Sequence, residues 1–463
     1  VVSGGPGTGK TTLLVALLAC LAAGTPGLRV ALVAPTGKAA ARMAEAVQSG
    51  MARLPASVPR PPLAEASTIH RLLGVTGRAG VFRHDAARPL PIDALIVDEA
   101  SMLDLALATR LLEAVPAAAR IVLLGDQHQL AAVEAGAVFA ELSADPTLSE
   151  PARRALAELT ATTSARIATA AAVEPSPLRD SVVWLERNYR FAAGSAIGRL
   201  ATAINARDAA ASVTVLRAPG DDSVAWLESP SSSFDAPTLQ CALAGYAELF
   251  AAVQHRGAVD PAAALAAFAR FRVLAALREG PRGVEAINRL LARHGRAAAG
   301  GSDVEPVSDD DPATWFPGRP VLVLRNDELL GLFNGDVGLC LPDERGAPTV
   351  FFAAPGGGLR GIAPLRLPVH ETAYAMTVHK AQGSEFDAAL VVLPGRPSRV
   401  VTRELLYTAV TRARQRVVVS ASETMLSNAV VTSTHRASGL LDRLRELDPP
   451  EPPKAARRQA ELF

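Results

Sequence analysis

Residues 4–11 read Gly-Gly-Pro-Gly-Thr-Gly-Lys-Thr and fit the phosphate-binding loop G-x-x-x-x-G-K-[ST]. The pattern constrains the fold because it needs a strand before it and a helix after it. Val1 and Val2 can end such a strand, and the Ala- and Leu-rich run 11–21 predicts the helix, whose N-terminus favours bound phosphate. The alternative is a chance glycine-rich turn. The predicted nucleotide site comprises Gly5, Gly7, Thr8, Gly9, Lys10, Thr11 and Thr12.

Lysine is rare in this chain: only four of its 47 basic residues are lysines. Lys10, Lys38 and Lys380 lie in short motifs with Gly or Gln nearby, and Lys454 lies in the Pro-rich tail. A compact ammonium fits a cradle of backbone N–H groups, whereas the planar guanidinium of arginine is wider. We therefore expect Lys10 to contact the β- and γ-phosphates of ATP, and the Thr11 hydroxyl to bind Mg²⁺.

A second candidate element is the run Ala-Leu-Ile-Val at 94–97, which predicts a short buried strand followed by Asp98 and Glu99. Carboxylates at the carboxyl end of a parallel strand lie where such sheets bind ligands. We expect Asp98 to hold Mg²⁺ and Glu99 to orient and deprotonate the attacking water. A solvated acidic turn is the alternative.

The segment 121–130 repeats the pattern, with a predicted strand followed by Gly-Asp-Gln-His-Gln-Leu. Its position predicts that Gln129 contacts the γ-phosphate or the attacking water. An ordinary turn is the alternative here.

Length and composition exclude several classes. At 463 residues the chain is long enough for two or three domains, and no charge-free apolar run reaches the ~18 residues of a membrane span. Three scattered cysteines argue against a cysteine-based zinc site and for a reducing cytoplasm. Because the net charge is +1, any nucleic-acid surface must be a local groove.

The chain divides into predicted blocks. Residues 1–190 alternate strands and helices in the manner of a parallel sheet. Residues 191–318 mix helical stretches with Gly-, Ser-, Pro- and Asp-rich segments that predict loops. Residues 319–365 change to period two around an Asn-Gly turn at 334–335, which predicts a small β insert. The βα pattern then returns over 366–463. The expected fold class is α/β with parallel sheets flanked by helices.

Two arginines follow apolar segments far from the phosphate loop, Arg190 in Asn-Tyr-Arg-Phe and Arg412 in Val-Thr-Arg-Ala. A surface or salt-bridge role is the ordinary expectation for each. In a chain with a phosphate loop, a second interpretation is that both reach from a second domain to stabilise the γ-phosphate during its transfer.

Taken in order, the motifs at 4–12, 34–42, 68–74, 97–104, 125–130, 188–191, 375–387 and 407–414 resemble those of superfamily 1 helicases. They are most similar to the RecD branch, the alpha subunit of bacterial exodeoxyribonuclease V. Segments 277–284, 318–338 and 434–440 also resemble that branch. The resemblance implies two RecA-like motor domains, 1–190 and 191–318 with 366–463, and an SH3-like insert at 319–365.

The resemblance also implies roles for individual residues. It assigns Lys10, Thr11, Asp98, Glu99, Gln129, Arg190 and Arg412 to the nucleotide site and Glu385 to a ribose contact. Thr36, His70, Thr377 and His379 correspond to positions that contact single-stranded DNA. The implied activity is ATP- and Mg²⁺-dependent 5′→3′ movement on single-stranded DNA within a bacterial, cytoplasmic repair complex with RecB- and RecC-like subunits.

Other functions fit the same motifs, and the sequence differs from the family in some respects. A nucleotide-switched DNA-binding ATPase and a stand-alone RecD-like or RNA helicase fit the same motifs. The family's N-terminal partner-docking domain and its glutamine-containing adenine-binding segment are not in this sequence. We also expect no nuclease site, because the Asp runs at 221–222 and 309–311 lie in polar segments typical of solvated loops.

Overall fold

The computed structural model describes residues 1–61, 63, 65–76, 81–132, 136–191, 194–218, 220–254, 259–301, 314–354, 357–434 and 438–447. Lys454 and the Asp run 309–311 lie outside the described residues, as does part of the segment 434–440. No helix in the described part of the chain is both long and apolar enough to cross a membrane.

The N-terminal part forms a six-stranded parallel sheet in the order β3-β2-β4-β5-β1-β6. Its strands are β1 (Val2–Gly4), β2 (Val30–Ala34), β3 (Ser67–Thr68), β4 (Ala94–Val97), β5 (Arg120–Gly125) and β6 (Val183–Leu185). The helices between them are α1 (Lys10–Gly24), α2 (Gly37–Ala52), α3 (Ile69–Leu73), α4 (Leu105–Ala114), α5 (Val138–Leu142) and α6 (Glu150–Leu159). We call this sheet with its helices the first lobe.

Helices cover both faces of this sheet, which explains why its central strands are almost entirely apolar. Leu95 and Ile96 are neighbours on β4, and both are fully buried. They belong to different apolar clusters because successive side chains of a strand point to opposite faces. The strands are parallel, so the polar residues after β1, β4 and β5 meet at one edge.

A second parallel sheet has the order β14-β8-β15-β16-β7. Its strands are β7 (Val224–Glu228), β8 (Phe271–Ala275), β14 (Ala375–Thr377), β15 (Phe386–Val392) and β16 (Ala413–Ala421). Its helices are α7 (Ala196–Asn205), α8 (Ala209–Arg217), α9 (Ala236–Gly245), α10 (Ala247–Gln254), α11 (Pro261–Arg270), α12 (Val284–Ala298), α13 (Arg403–Val410) and α14 (Glu423–Val431). We call this sheet with its helices the second lobe. The predicted α/β class, with parallel sheets flanked by helices, is confirmed.

Between β8 and β14 the chain forms an antiparallel sheet in the order β12-β11-β10-β9-β13. Its strands are β9 (Pro320–Val323), β10 (Val337–Pro342), β11 (Pro348–Ala353), β12 (Leu359–Ile362) and β13 (His370–Thr372). The predicted change to period two and the turn at Gly335, with φ 97°, are therefore present. β13 lies beyond residue 365, where we expected the insert to end. The SH3-like designation and the domain limits stay predictions.

The last helix, α15 (Leu440–Leu447), packs on α5 of the first lobe. The Glu141 carboxylate accepts hydrogen bonds from the N–H groups of Ser438 and Leu441, at 2.9 and 3.1 Å. The chain therefore returns to the first lobe after completing the second.

Candidate nucleotide site between the lobes

The loop between β1 and α1 is shaped by two glycines in the left-handed region, Gly7 at φ 80° and Gly9 at φ 90°. Side chains other than hydrogen are strained there, so glycine is needed at both positions. The Lys10 Nζ donates to the carbonyls of Gly4 and Gly5 at 2.5 and 3.1 Å. The amine therefore lies against the loop, beside the N-terminus of α1, whose free N–H groups favour an anion.

Asp98 and Glu99 follow β4 at the same edge of the sheet. The Asp98 N–H donates to the Val33 carbonyl at 2.9 Å, and Asp98 Oδ1 accepts the Glu99 N–H at 2.9 Å. Glu99 itself has φ 51°, a backbone conformation that is rare outside glycine. Burial, and then the charge of Glu99, raises the pKa of Asp98 to about 6. A carboxylate held in this way favours a nearby cation.

Gln129 is fixed by Asp126, three residues before it. Its amide Nε2 donates to Asp126 Oδ2 at 3.1 Å, and its backbone N–H donates to the Asp126 carbonyl at 3.2 Å. The Tyr407 hydroxyl of the second lobe donates to the same Oδ2 at 3.1 Å. Asp126 therefore links the orientation of Gln129 to the second lobe.

These groups surround a cavity of about 480 Å³. The predicted site residues that line it are Gly7, Thr8, Gly9, Lys10, Thr11, Thr12, Asp98, Glu99, Gln129, Arg190, Glu385 and Arg412. Gly5 instead lines a neighbouring cavity of about 1160 Å³, which Thr8 also borders. The smaller cavity is the one that brings the candidate catalytic groups together, so we take it as the nucleotide site.

Arg412 comes from the second lobe, between α13 and β16. Its side chain is 2% exposed, its Nε donates to the Thr408 carbonyl, and its Nη1 donates to the Ser384 carbonyl, both at 3.2 Å. Backbone carbonyls therefore hold the guanidinium at the cavity wall. A surface arginine, the ordinary expectation for this residue, would not be buried in this way.

Arg190 departs from the expectation that both arginines reach in from a second domain, which is wrong for this residue. It follows β6, which pairs with β1 in the first sheet. The Tyr189 N–H donates to the Gly7 carbonyl and the Asn188 amide to the Pro6 carbonyl, both at 2.8 Å. Arg190 is therefore tethered to the phosphate loop by its own neighbours. β6 is only three residues long, so the sequence pattern gave little sign of it.

Glu385 lies among three arginines. Its Oε1 is 2.7 Å from Arg190 Nη2, and its Oε2 is 3.2 Å from Arg414 Nη2 and 3.4 Å from Arg42 Nη2. Burial alone would raise the pKa of Glu385, but the charges of Arg190 and Arg42 lower it to about 2. The carboxylate is therefore ionised throughout the physiological range.

The four candidate DNA-contacting residues lie outside the nucleotide cavity. Thr36 lies two residues after β2, and Thr377 is the last residue of β14. Both therefore lie at the carboxyl edge of a parallel sheet. Thr36 Oγ1 accepts the Ala39 N–H at 3.3 Å and caps α2, and Thr377 Oγ1 accepts the Lys380 N–H at 3.3 Å. His70 is exposed on α3 and His379 is partly buried after β14.

The loop after β5 is anchored in the second lobe. Leu130 is 4% exposed and packs in an apolar cluster formed mainly by second-lobe residues. Its N–H donates to Thr408 Oγ1 at 2.8 Å, and its carbonyl accepts from Gln382 Nε2 at 2.7 Å. Gln129 is thus next to a residue that is bonded to the opposite lobe.

Sequence reasoning missed several residues of this site. Arg42 lines the cavity from α2 and donates a hydrogen bond to the Gly383 carbonyl across the lobes. The exposed ring of Tyr189 also lines the cavity. Both lie inside the motifs singled out above, but a helical arginine and a tyrosine beside a known arginine give no separate signal of contact with a ligand.

Comparison with known proteins places these motifs in a family. The model of an AAA domain matches residues 1–135, and the model of a UvrD-like helicase C-terminal domain matches residues 372–420. A structure of the Pif1 helicase from Bacteroides, in complex with ADP-AlF3 and single-stranded DNA, has a TM-score of 0.45 and 16% identity. That alignment covers 96% of this chain and 92% of the Pif1 chain.

Curated relatives cover nearly the whole chain. The RecBCD enzyme subunit RecD of Mycobacterium tuberculosis H37Rv is 40% identical over 454 residues, which are 96% of this chain and 70% of the relative. The corresponding subunit of Haemophilus influenzae is 33% identical, over 97% of this chain and 70% of the relative. With this identity and coverage, and with the phosphate loop and its partner motifs in one cavity, the chain belongs to the RecD family of helicases.

Proposed function

We propose that this chain is an ATP-driven motor that moves 5′→3′ along single-stranded DNA, as a subunit of a helicase–nuclease complex for break repair. The observation that carries the proposal is the nucleotide cavity, which the phosphate loop of the first lobe and Arg412 of the second lobe line together. A site built from two lobes responds to ATP by changing how the lobes fit together. Such a change is what a translocase needs.

Within this proposal the phosphate loop binds the β- and γ-phosphates. Lys10 and the first N–H groups of α1 balance their charge. Thr11 and Asp98 are oxygen ligands of the kind that Mg²⁺ prefers. Burial and the charge of Glu99 raise the pKa of Asp98, and a bound cation would favour its ionised form. These residues therefore fit Mg²⁺, which would neutralise phosphate charge when bound.

Glu99 is the proposed general base. It follows Asp98 in the chain, lines the same cavity and has a left-handed backbone conformation. It accepts a proton from the attacking water, while Gln129 orients that water. Arg190 and Arg412 stabilise the charge that develops on the γ-phosphate.

Coupling between the lobes runs through residues 126–130. Asp126 holds Gln129, and Leu130 is bonded to Thr408 and Gln382 of the second lobe. Movement of the second lobe therefore shifts the residue that orients the water. Hydrolysis is thereby favoured in the lobe arrangement that DNA binding stabilises.

We propose that DNA crosses the carboxyl edges of the two parallel sheets, past Thr36 and His70 in the first lobe and Thr377 and His379 in the second. The relatives are named as subunits of the RecBCD enzyme, which supports assembly with RecB- and RecC-like subunits. We propose that this complex works in the bacterial cytoplasm. The alternative is a nucleotide-switched clamp, which binds DNA but does not move along it. An assay of movement along DNA distinguishes the two functions.

The test is displacement of streptavidin from biotinylated oligonucleotides by the chain with Mg²⁺ and ATP. A 5′→3′ motor removes streptavidin from the 3′ end and leaves it at the 5′ end. Displacement from neither end, despite DNA binding, identifies a clamp and contradicts the proposal. Displacement from the 5′ end alone would reverse the proposed polarity. An RNA oligonucleotide of the same sequence tests the preference for DNA.

We expect Glu99→Gln to keep Mg²⁺–ATP binding and to lose turnover by about 10²-fold or more, because the metal ligand Asp98 remains while the base is gone. Single-turnover hydrolysis and binding of a fluorescent ATP analogue measure the two properties. Glu113→Gln is a matched control on the exposed surface of α4. Loss of nucleotide binding in Glu99→Gln would show that Glu99 is a ligand instead.

The raised pKa of Asp98 predicts a pH-dependent effect on stability. Its folded-state pKa of about 6 lies above the usual 3.8, so the folded state retains a proton that the unfolded chain releases. Stability is therefore lost as the pH rises from about 4 to 6, on the order of 3 kcal/mol. Without nucleotide or metal, Asp98→Asn should melt a few degrees above the wild-type chain at pH 7.5.

The difference in melting temperature should shrink at pH 5, because wild-type Asp98 is then largely protonated. Mg²⁺–ATP should reverse the order at pH 7.5, because only the wild-type carboxylate gains a cation. Equal differences at both pH values would contradict a titrating Asp98 as their cause.

A further inference from the structure

Among the residues that the structure describes, one edge of the Arg190 guanidinium has a hydrogen-bond partner and the other has none. Its Nη2 donates to Glu385 Oε1 at 2.7 Å. Its Nη1 is buried and has no hydrogen-bond partner among the residues that the structure describes. A buried guanidinium N–H without an acceptor is costly, and such groups are rare unless a ligand completes them. The side chain lines the nucleotide cavity, so an acceptor in that cavity is the natural complement.

Glu385 is held on both sides. Its Oε1 accepts from Arg190, while its Oε2 accepts from Arg414 Nε at 3.2 Å and lies 3.4 Å from Arg42 Nη2. Arg414 is on β16 of the second lobe and Arg42 is on α2 of the first. The carboxylate therefore has a fixed place between the lobes, from which it determines the direction of the Arg190 guanidinium.

The local charges explain why such a support is needed. Lys10, Arg42 and Arg412 line the same cavity as Arg190, so their positive charges repel its guanidinium. Arginine is a planar fork, and fixing one edge of the fork sets the direction of the other. Without Glu385, Arg190 would turn toward solvent before the triphosphate arrives.

We propose that Glu385 is a positioning residue for hydrolysis, which holds Nη2 of Arg190 so that Nη1 is directed at the γ-phosphate of ATP. This inference rests on the proposed function, because it needs Arg190 to act on the γ-phosphate. It gives Glu385 a different role from the ribose contact that the family resemblance implies. The two roles predict different nucleotide affinities for a chain without the Glu385 carboxylate. A positioning role weakens only the binding of ATP, whereas a ribose contact weakens ATP and ADP equally.

The experiment compares Glu385→Gln, Arg190→Ala and the double variant in the full chain. Asp387→Asn is the matched control, since it removes the carboxylate two residues after Glu385. The Asp387 carboxylate lies 4.0 Å from Arg414 Nη1. Three quantities are measured: the Kd of fluorescent ADP, the Kd of a non-hydrolysable ATP analogue, and the kcat and KM of DNA-stimulated ATP turnover. The Kd of ADP also reports whether each variant is folded.

For Glu385→Gln we expect a Kd of ADP within twofold of wild type, weaker binding of the ATP analogue, and a kcat at least tenfold lower. The double variant should lose no more activity than Arg190→Ala alone, because Glu385 acts only through Arg190. Asp387→Asn should resemble wild type. Equal weakening of ADP and of the ATP analogue, or additive losses in the double variant, would assign Glu385 to the ribose and overturn the proposal.

Two further results separate this inference from the function on which it rests. Impaired Arg190→Ala with unimpaired Glu385→Gln overturns only the positioning role. Wild-type turnover in Arg190→Ala overturns both the positioning role and the proposed role of Arg190. If Glu385→Gln does not bind ADP, Glu385→Asp keeps the charge but shortens the reach. It should then lower kcat at least threefold with ADP binding intact, and an unchanged kcat overturns the proposal.

Discussion

Arg412→Ala is expected to lower ATP turnover by about 10³-fold or more while leaving the affinity for ADP nearly unchanged. The guanidinium is held at the cavity by the carbonyls of Thr408 and Ser384, and it belongs to the second lobe. We propose that it acts on the γ-phosphate from the second lobe, whereas the phosphate loop belongs to the first. The substitution should also abolish the dependence of DNA affinity on nucleotide state, because the lobes lose their shared contact with ATP.

Arg416→Ala is the matched control for this prediction, since Arg416 is an exposed arginine four residues after Arg412, on β16. Because Arg412 is buried, ADP binding and a thermal melt must accompany the turnover measurement. Wild-type turnover in a folded Arg412→Ala chain would remove the second lobe from the nucleotide site.

Lys10→Ala and Lys10→Arg should both reduce ATP hydrolysis by at least about 10²-fold, the size of effect seen when one charge-stabilising donor is lost. Alanine removes the charge. Arginine keeps it, but the Lys10 amine lies 2.5 and 3.1 Å from the Gly4 and Gly5 carbonyls, a space that suits an ammonium better than a planar fork. Steady-state turnover with saturating single-stranded DNA measures both variants.

Lys454 provides the comparison for Lys10, because it lies in the Pro-rich tail rather than in a glycine-rich motif. We expect Lys454→Arg to behave as wild type. Near-normal turnover in Lys10→Arg would show that the scarcity of lysine in this chain does not mark residues that arginine cannot replace.

Much of the nucleotide site could be predicted because its groups follow short buried strands. Apolar runs before Lys10, Asp98 and Gln129 predicted β1, β4 and β5, and parallel strands bring their carboxyl ends to one edge. The sequence therefore predicted most of the residues that line the cavity, but it missed Arg42 and Tyr189 and wrongly included Gly5. Their individual roles await the experiments above.

The parts that could not be predicted depend on contacts between distant segments. Arg190 was expected to reach in from a second domain, although it ends the predicted domain 1–190. The backbone of Tyr189 binds Gly7 and holds Arg190 in the first lobe. The three arginines around Glu385 come from three separate parts of the chain. No local sequence pattern predicts that they lie close together. β13 was not predicted, because three residues are too few to show the period of two that marks a strand. Its partner β9 also lies about fifty residues earlier in the chain.

Two lobes that share one ATP site should make ATP hydrolysis depend on DNA, because DNA favours the arrangement in which Gln129 and Arg412 act together. The rate of ATP hydrolysis with and without single-stranded DNA measures this dependence. We expect single-stranded DNA to raise kcat by at least tenfold in the wild-type chain and not in Arg412→Ala. An equal kcat with and without DNA, in a chain that binds both ATP and DNA, would contradict it.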